Sequence, residues 1–136
     1  MKISDKELIA LANEARERSY CPYSGFSVGA ALLTRGGKVY TGANIENASF
    51  TPTVCAERVA LFTAVHAGER DFEAIAIVGG KCGEAAKSPF TPCGVCRQVL
   101  SEFSGKDLKV IIASESDTLT LTLGDLLPHG FGKDLM

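Results

Sequence analysis

Apolar and polar positions alternate along this chain with two different periods, one typical of helices and one typical of strands. A helical period follows Ser4-Asp5-Lys6-Glu7, which has the Ser-x-x-Glu form of a capping box. It predicts a first helix from about Asp5 to about Tyr20. The apolar residues that carry this period are Leu8, Ile9, Leu11, Ala12 and Ala15.

The remaining segments continue this alternation. Predicted strands are Phe26 to Thr34, Lys38 to Ile45, Ala74 to Val78, Leu108 to Ala113 and Thr118 to Leu123. Predicted helices are Glu57 to Ala67 and Cys93 to Phe103, with a loop from Gly79 to Phe90 and a short helix and tail from Asp125 to Met136. Gly36-Gly37 joins the first two strands in a predicted hairpin.

The order of these elements, α-β-β-α-β-α-β-β, predicts an α/β fold with three layers and a five-stranded mixed sheet. Two connections between strands contain helices, as parallel neighbouring strands require. The link from Ser114 to Asp117 is too short for a crossover helix, so the last two strands are expected to be antiparallel.

Composition and charge exclude several classes of protein. The 136 residues suffice for one domain, predicted over residues 1–136, and 46% of them are hydrophobic. Fourteen basic and sixteen acidic side chains give a net charge of -2, with no basic cluster dense enough to follow a nucleic acid. No apolar run reaches membrane-spanning length and no secretory signal precedes the first helix, so we expect a cytoplasmic protein without a membrane partner.

Candidate chemistry is concentrated in Cys55-Ala56-Glu57 and Pro92-Cys93-Gly94-Val95-Cys96. Cys93 and Cys96 project from one side of a helix, and the start of a helix favours thiolates. With Cys55 they can hold one zinc ion and leave a coordination position free for water, while Glu57 serves as base. Because Cys55 and Glu57 are two apart, this works only if Cys55 lies at the very start of its helix.

Three thiolates around zinc leave a net negative charge, so activation of water requires nearby positive charge. Helix N-termini supply part of it, and Arg58 is the best candidate for the rest through hydrogen bonds to cysteine sulfur. Arg97 is a second candidate, for which an ordinary surface role is an equal alternative.

The cysteines also have simpler interpretations. Five is an odd number for a disulfide framework, so we expect thiols or metal ligands. Cys-x-x-Cys alone would also fit a redox pair or a structural zinc site, and Cys82 could close the site with a fourth thiolate. Cys82 lies among glycines in a predicted loop, where a cysteine is more often incidental, and Cys21 has no assigned role.

The sequence resembles the small, single-domain cytidine deaminases. The shared segments are Cys55-Ala56-Glu57-Arg58, Pro92-Cys93-Gly94-Val95-Cys96-Arg97-Gln98, Pro22-Tyr23-Ser24, Phe26-x-Val28-Gly29-Ala30-Ala31 and Gly42-x-Asn44-Ile45-Glu46-Asn47-Ala48. The likeness runs over nearly the whole chain. Zinc motifs of this kind occur in nucleobase deaminases generally, whereas the segment from Asn44 to Asn47 indicates cytidine.

The resemblance implies zinc-dependent hydrolytic deamination of free cytidine and 2′-deoxycytidine to the uridines and ammonia, in pyrimidine salvage. Asn44 and Glu46 would hold the ribose, which agrees with their alternation on one side of a strand. An exposed strand end with ordinary polar residues is the alternative. Phe26 would pack against the nucleoside, and backbone groups at Ala56 and Thr91 would bind the base.

The resemblance also implies a homotetramer with active sites shared between subunits, because Phe131 would cover the base bound in a neighbouring subunit. A blasticidin-type aminonucleoside deaminase is one alternative function, and Glu46 argues against it. A structural zinc module is the non-enzymatic alternative. A polynucleotide editor is disfavoured by the acidic balance and by the lack of interleaved aromatic and basic residues.

Overall fold

The computed structural model describes residues 2–136, which form a five-stranded mixed sheet with helices on both faces. The strands are β1 (Phe26–Thr34), β2 (Val39–Ala43), β3 (Phe72–Lys81), β4 (Lys109–Ala113) and β5 (Thr118–Thr122). The helices are α1 (Asp5–Ala15), α2 (Ala56–His66), α3 (Gly94–Phe103) and α4 (Leu123–Leu126), with 3₁₀ turns at Arg16–Arg18 and Lys133–Leu135. The predicted three-layer α/β fold is confirmed.

The strands lie in the order β2-β1-β3-β4-β5, and only β3 and β4 run parallel. The antiparallel pairing predicted for the last two strands is confirmed, with Ile111 opposite Thr120. The prediction that both helical connections join parallel neighbours is wrong for α2. The first strand, β1, pairs with β2 on one side and β3 on the other, so β2 and β3 are not adjacent.

Successive residues of the central strands point into two separate cores, as the alternation of side chains along a strand requires. Leu32 packs with buried residues of α2 and α3, including Leu61 and Leu100. Leu33, the next residue, packs on the opposite face with Leu8 of α1. The sheet is therefore covered by α1 on one face and by α2 and α3 on the other.

The first helix ends earlier than the sequence suggested. Its capping box at Ser4 and Glu7 is formed, but the α-helix stops at Ala15 and tightens into a 3₁₀ turn at Arg16–Arg18. The Arg16 guanidinium is buried and donates to the carbonyl oxygens of Ser27, Lys81 and Glu84 at 3.0, 3.3 and 3.0 Å. These bonds fasten the end of α1 to the sheet, which the local spacing could not show.

Several strand boundaries also differ from prediction, and the ends of the second and third strands matter most for the site. The second strand ends at Ala43 rather than Ile45, which forms only isolated bridges with Tyr20 and Val54. The third strand continues to Lys81 through residues that were predicted as a loop. Gly79 pairs there with Val28 of β1. Gly79 and its neighbours thereby become part of the rigid sheet rather than of a loop.

Helix α2 approaches β2 so closely that one position has no room for a side chain. A Cβ atom at Gly42 would lie 2.5 Å from Ala60 N and 2.7 Å from Ala56 O. Glycine at this position therefore sets the depth at which the first turn of α2 rests on the sheet. Across residues 2–136, none of the helices has the length and apolarity needed to cross a membrane.

Candidate active site

Three cysteine side chains converge where α2 and α3 begin. The sulfur atoms of Cys55, Cys93 and Cys96 all lie within 4.8 Å of one another. Cys55 and Cys93 are the N-cap residues of α2 and α3, and each has an extended backbone, with φ and ψ of -76° and 156° at Cys55. The extended conformation turns the Cys55 side chain off the end of the helix, which is the geometry that the two-residue spacing to Glu57 demanded.

The charge of this cluster favours a bound cation. Hydrogen bonding from Cys96, together with Arg58 and Cys93, lowers the pKa of Cys55 to about 5. The same bond to Cys55, together with burial, raises the pKa of Cys96. Thiolates this close repel one another unless a proton or a metal ion lies between them. Soft sulfur donors in a set of three suit zinc, and each of these residues could hold it.

Arg58 supplies positive charge to this cluster. Its Nη2 atom donates to the sulfur of Cys55 at 3.5 Å, and this bond raises the pKa of Arg58. Its Nε atom is buried without a hydrogen-bond partner within residues 2–136. A guanidinium in this position offsets the negative charge that three thiolates accumulate.

Arg97 has a different role from the one considered for it. Its Nε atom donates to the carbonyl oxygen of Pro92 at 2.7 Å and its Nη1 atom donates to that of Leu126 at 2.8 Å. No hydrogen bond from Arg97 to sulfur occurs in the described part of the chain. Arg97 therefore fixes the residue that precedes Cys93 and ties α3 to the end of α4.

Glu57 lies in the first turn of α2 and is almost completely buried, with 4% of its surface exposed. Burial raises the pKa of its carboxyl to about 7, and the negative charge of Cys55 acts in the same direction. A carboxyl group with such a pKa can both accept and release a proton near neutral pH. Position and protonation therefore suit Glu57 for proton transfer next to the cysteine cluster.

A cavity of about 260 Å³ opens onto these groups. The sequence-predicted residues that line it are Phe26, Asn44, Glu46, Cys55, Ala56, Glu57, Thr91 and Cys93. Sequence reasoning did not assign roles to other lining residues, among them Ser24, Val28, Val54 and Phe90. The structure thus brings Cys55, Cys93, the predicted acid and the predicted sugar-binding residues to a single pocket, while the third predicted ligand, Cys96, is fully buried and does not line it.

Glu46 is held in this cavity by the loop that precedes β1. Its Oε1 atom accepts hydrogen bonds from the backbone N–H groups of Tyr23 and Ser24 at 2.9 and 3.0 Å, and Oε2 accepts one from the Ser24 hydroxyl. The Ser24 hydrogen bond lowers the pKa of Glu46, so the carboxyl is ionised at neutral pH. The Pro22-Tyr23-Ser24 segment is therefore the support of Glu46, a role that the sequence alone did not reveal.

Asn44 is more deeply engaged in the fold than the sequence suggested. Its Oδ1 atom accepts from Val28 N at 2.8 Å, and its Nδ2 atom donates to Phe26 O at 2.9 Å. One amide hydrogen and one lone pair remain for a ligand. Asn44 thus braces the first residues of β1, where Phe26 stands, while it faces the cavity.

Phe131, unlike the other predicted substrate-binding residues, does not line this cavity. It is 61% exposed and borders a larger cavity of about 570 Å³ beside α3 and the C-terminal segment. Gln98 Nε2 donates to its carbonyl oxygen at 2.8 Å, which fixes the segment against α3. Phe131 therefore lies outside the cavity that the cysteine cluster of its own chain borders.

Cys21 and Cys82 are not part of the metal-binding group. The structure brings their sulfur atoms together across 61 residues of sequence, with Cα atoms 7.7 Å apart, which is farther than in ordinary disulfides. The sequence expectation of thiols or metal ligands did not include a contact between these two cysteines. Nothing local predicts a contact between two loops so distant in sequence.

The described residues contain no fourth sulfur at the cluster, so the closed four-cysteine arrangement is not formed.

A three-layer α/β fold with three cysteines at two helix N-termini and a buried carboxyl beside them is the arrangement of the zinc-dependent deaminases. A family model described as "Cytidine and deoxycytidylate deaminase zinc-binding region" matches residues 2–113. The chain therefore belongs to the cytidine and deoxycytidylate deaminase family, and it is a deaminase enzyme.

Individual relatives agree with this assignment. The chain is 50% identical to a cytidine deaminase of Halalkalibacterium halodurans over 130 residues, which cover 95% of both chains. A crystal structure of cytidine deaminase from Burkholderia pseudomallei superimposes with a TM-score of 0.87 at 47% identity, covering 95% of this chain and all of the other. A blasticidin-S deaminase of Bacillus cereus is 31% identical over 96% of this chain and 94% of its own length.

Proposed function

We propose that this protein catalyses the zinc-dependent hydrolytic deamination of free cytidine and 2′-deoxycytidine to uridine and 2′-deoxyuridine, with release of ammonia. The observation that carries this proposal is the cavity that joins Cys55, Cys93 and the buried Glu57 to Asn44 and Glu46. Residues 1–136 would act as one catalytic domain in pyrimidine salvage in the cytoplasm. The cytidine deaminase relatives at high coverage support this substrate assignment.

One zinc ion per chain would be held by Cys55, Cys93 and Cys96. When bound, such an ion acts as a Lewis acid and makes water a better nucleophile. The dipoles of α2 and α3 and the guanidinium of Arg58 would offset the negative charge of the thiolates. Arg97, which holds the carbonyl of Pro92, keeps the start of α3 in the position that this ligand set needs.

Glu57 would carry the protons of the reaction. It takes a proton from the attacking water and delivers it to ring N3, which makes C4 of the base more electrophilic. After water has added to C4, the same carboxyl moves the second proton of that water from the oxygen on C4 to the amino group, which leaves as ammonia. A single buried carboxyl thus serves as base and then as acid, and its burial excludes bulk water from these transfers.

Glu46 and Asn44 would orient the nucleoside through the ribose hydroxyls. The ionised carboxyl of Glu46 is fixed by Tyr23 and Ser24, so a hydroxyl donor meets an acceptor that is already in place. The same charge would repel a phosphorylated sugar and so favours nucleosides over nucleotides. Phe26 contributes an apolar surface, and backbone groups at Ala56 and Thr91 would bind the base.

A homotetramer with shared active sites is part of this proposal. Phe131 is exposed and does not line the active-site cavity of its own chain, which supports insertion into the site of a neighbouring subunit. Other large apolar side chains are also exposed, among them Tyr20, Phe50 and Phe62. An association surface would bring such groups together in one contiguous patch. Multi-angle light scattering would give the subunit count.

The substrate is tested with an absorbance assay on cytidine, 2′-deoxycytidine and blasticidin S, each with and without a metal chelator. We expect turnover of both cytidines that the chelator abolishes and added zinc restores. Preferential turnover of blasticidin S would instead support the alternative that the Bacillus cereus relative represents. The ribose-facing carboxyl of Glu46 is the feature that favours the cytidines over this second candidate.

A further inference from the structure

Two aromatic residues border both the candidate active site and a second cavity. The centroids of Phe26 and Phe90 are 5.7 Å apart and their planes are inclined by 45°. Both rings border the active-site cavity of about 260 Å³ and an adjoining cavity of about 210 Å³. We call this pair the Phe26–Phe90 partition, because no other residue of β1 or of the loop before α3 borders both spaces.

The position of the Phe90 ring depends on Gly79. A Cβ atom built on Gly79 would lie 2.8 Å from Cδ2 and 3.2 Å from Cγ of Phe90, closer than packed carbon atoms approach. Gly79 belongs to β3 and pairs with Val28 of β1, so the floor beneath the ring is the rigid centre of the sheet. The ring therefore rests on bare backbone, and any side chain at Gly79 would push it toward the cavities.

The segment that follows Phe90 is anchored to α3. Phe90 precedes Thr91 and Pro92, and the Pro92 carbonyl accepts the 2.7 Å hydrogen bond from Arg97 at the start of α3. Phe90 is three residues before Cys93, and both line the cavity, so Phe90 belongs to the segment that leads to the metal-binding end. The reacting C4 atom must lie at that end, whereas the ribose lies toward Glu46. The Phe26–Phe90 partition therefore faces the base.

We propose that Phe90 is a specificity-determining residue that limits the size of the base this enzyme accepts. The inference rests on the proposed function and adds to it the feature that restricts the substrate class. With the ring present, the active-site cavity ends at the Phe26–Phe90 partition and accommodates an unsubstituted cytosine. Without the ring, the two cavities join, and a base with a bulky substituent can extend into the second one.

The test compares cytidine with cytidines that carry methyl, bromo or iodo groups at C5 or alkyl groups at N4. The measured quantity is kcat/KM for each analogue divided by kcat/KM for cytidine. We expect Phe90→Ala to raise this ratio by about tenfold or more for at least one bulky analogue, because pocket contacts of this size commonly change discrimination between substrates by such a factor. Phe90→Leu should raise the ratio less. Lys87→Ala is the matched control, since Lys87 borders only the second cavity.

A second pair of variants tests the position of the ring. Gly79→Ala should raise KM for cytidine, because the displaced Phe90 ring enters the active-site cavity. The double variant Gly79→Ala/Phe90→Ala should recover most of that loss, which a purely structural effect of Gly79→Ala would not allow. Zinc content is measured for every variant, so that a folding defect is recognised as a loss of metal.

The results separate this inference from the proposed function. Suppose that the unchanged protein turns over cytidine, that no Phe90 variant alters the kcat/KM ratios, and that the double variant recovers nothing. This result would overturn only the role of Phe90. Ratios that rise equally in Lys87→Ala would also overturn it. Absence of cytidine turnover in the unchanged, zinc-loaded protein would overturn both proposals.

Discussion

Cys55 and Glu57 face the same cavity although they stand only two residues apart at the start of a helix. On a regular helix this spacing places two side chains on nearly opposite sides. The extended backbone of Cys55, with ψ at 156°, turns its sulfur off the helix end toward Cys93, 3.7 Å away, while Glu57 is already helical and buried. The end of the helix is therefore what allows a candidate metal ligand and a candidate proton carrier to be neighbours.

Replacement of Glu57 by glutamine keeps the shape of the side chain and removes its ability to transfer protons. We expect Glu57→Gln to retain stoichiometric zinc and the fold, and to lower kcat for cytidine roughly 10²- to 10⁴-fold. Metal analysis and an absorbance assay on the same preparation check both parts. Glu14→Gln, an exposed change on α1, is the control, and turnover close to the unchanged level in Glu57→Gln would refute the assigned role.

Loss of the guanidinium at Arg58 should weaken metal retention. The Nη2 atom of Arg58 is 3.5 Å from the Cys55 sulfur, and its removal leaves the negative charge of the thiolates less compensated. We expect Arg58→Ala to lower zinc affinity about 10- to 100-fold, as removal of groups that support metal ligands commonly does. Competition with a chromophoric chelator measures this, with Arg18→Ala as an exposed control. Equal affinity in both variants would show that Arg58 has no such role.

The carboxyl of Glu46 should matter for nucleoside binding and not for metal. We expect Glu46→Gln to raise KM for cytidine about 10- to 100-fold, because a hydrogen bond to a charged group is lost. Ser24→Ala should raise KM less, since the backbone N–H groups of Tyr23 and Ser24 still hold the carboxyl. Zinc content should stay unchanged in both. A parallel loss of zinc would place Glu46 at the metal site instead.

Gly42 is expected to control both stability and activity. An added Cβ would meet the backbone of α2 at 2.5 Å, so Gly42→Ala must lift the first turn of the helix that carries Ala56 and Glu57. We expect a loss of about 1–3 kcal/mol in the free energy of unfolding, typical of overpacking, and a reduced kcat. Gly36→Ala, where nothing lies closer than 3.8 Å, is the control in chemical denaturation and in the assay. A stable and fully active Gly42→Ala variant would contradict this packing argument.

The order of the elements and the local motifs that carry the candidate metal ligands could be predicted because they depend on local information. Helical spacing, the Gly36-Gly37 turn and Cys-x-x-Cys at a helix start are all visible within a few residues. The short link from Ser114 to Asp117 likewise fixed the antiparallel direction of the last strand pair. The resemblance of the Asn44 to Asn47 segment then indicated which polar groups belong to the same pocket.

Features that depend on distant contacts could not be predicted. Arg16 ends α1 because it meets carbonyl groups of Lys81 and Glu84, more than sixty residues away. Gly79 belongs to a strand only because β1 is long enough to pair with it. The Phe90 ring packs against Gly79 from a separate loop, which is also a contact between distant segments. The contact of Cys21 with Cys82 joins two loops that no local pattern relates.

The coordination of zinc tests the account most directly. X-ray absorption spectroscopy of the zinc-loaded protein should show three sulfur ligands at about 2.3 Å and one oxygen or nitrogen ligand. Cys82→Ser should give the same spectrum, because Cys82 contacts Cys21 and lies outside the cluster. A spectrum with four sulfur ligands would show a closed structural site and would contradict the enzymatic account.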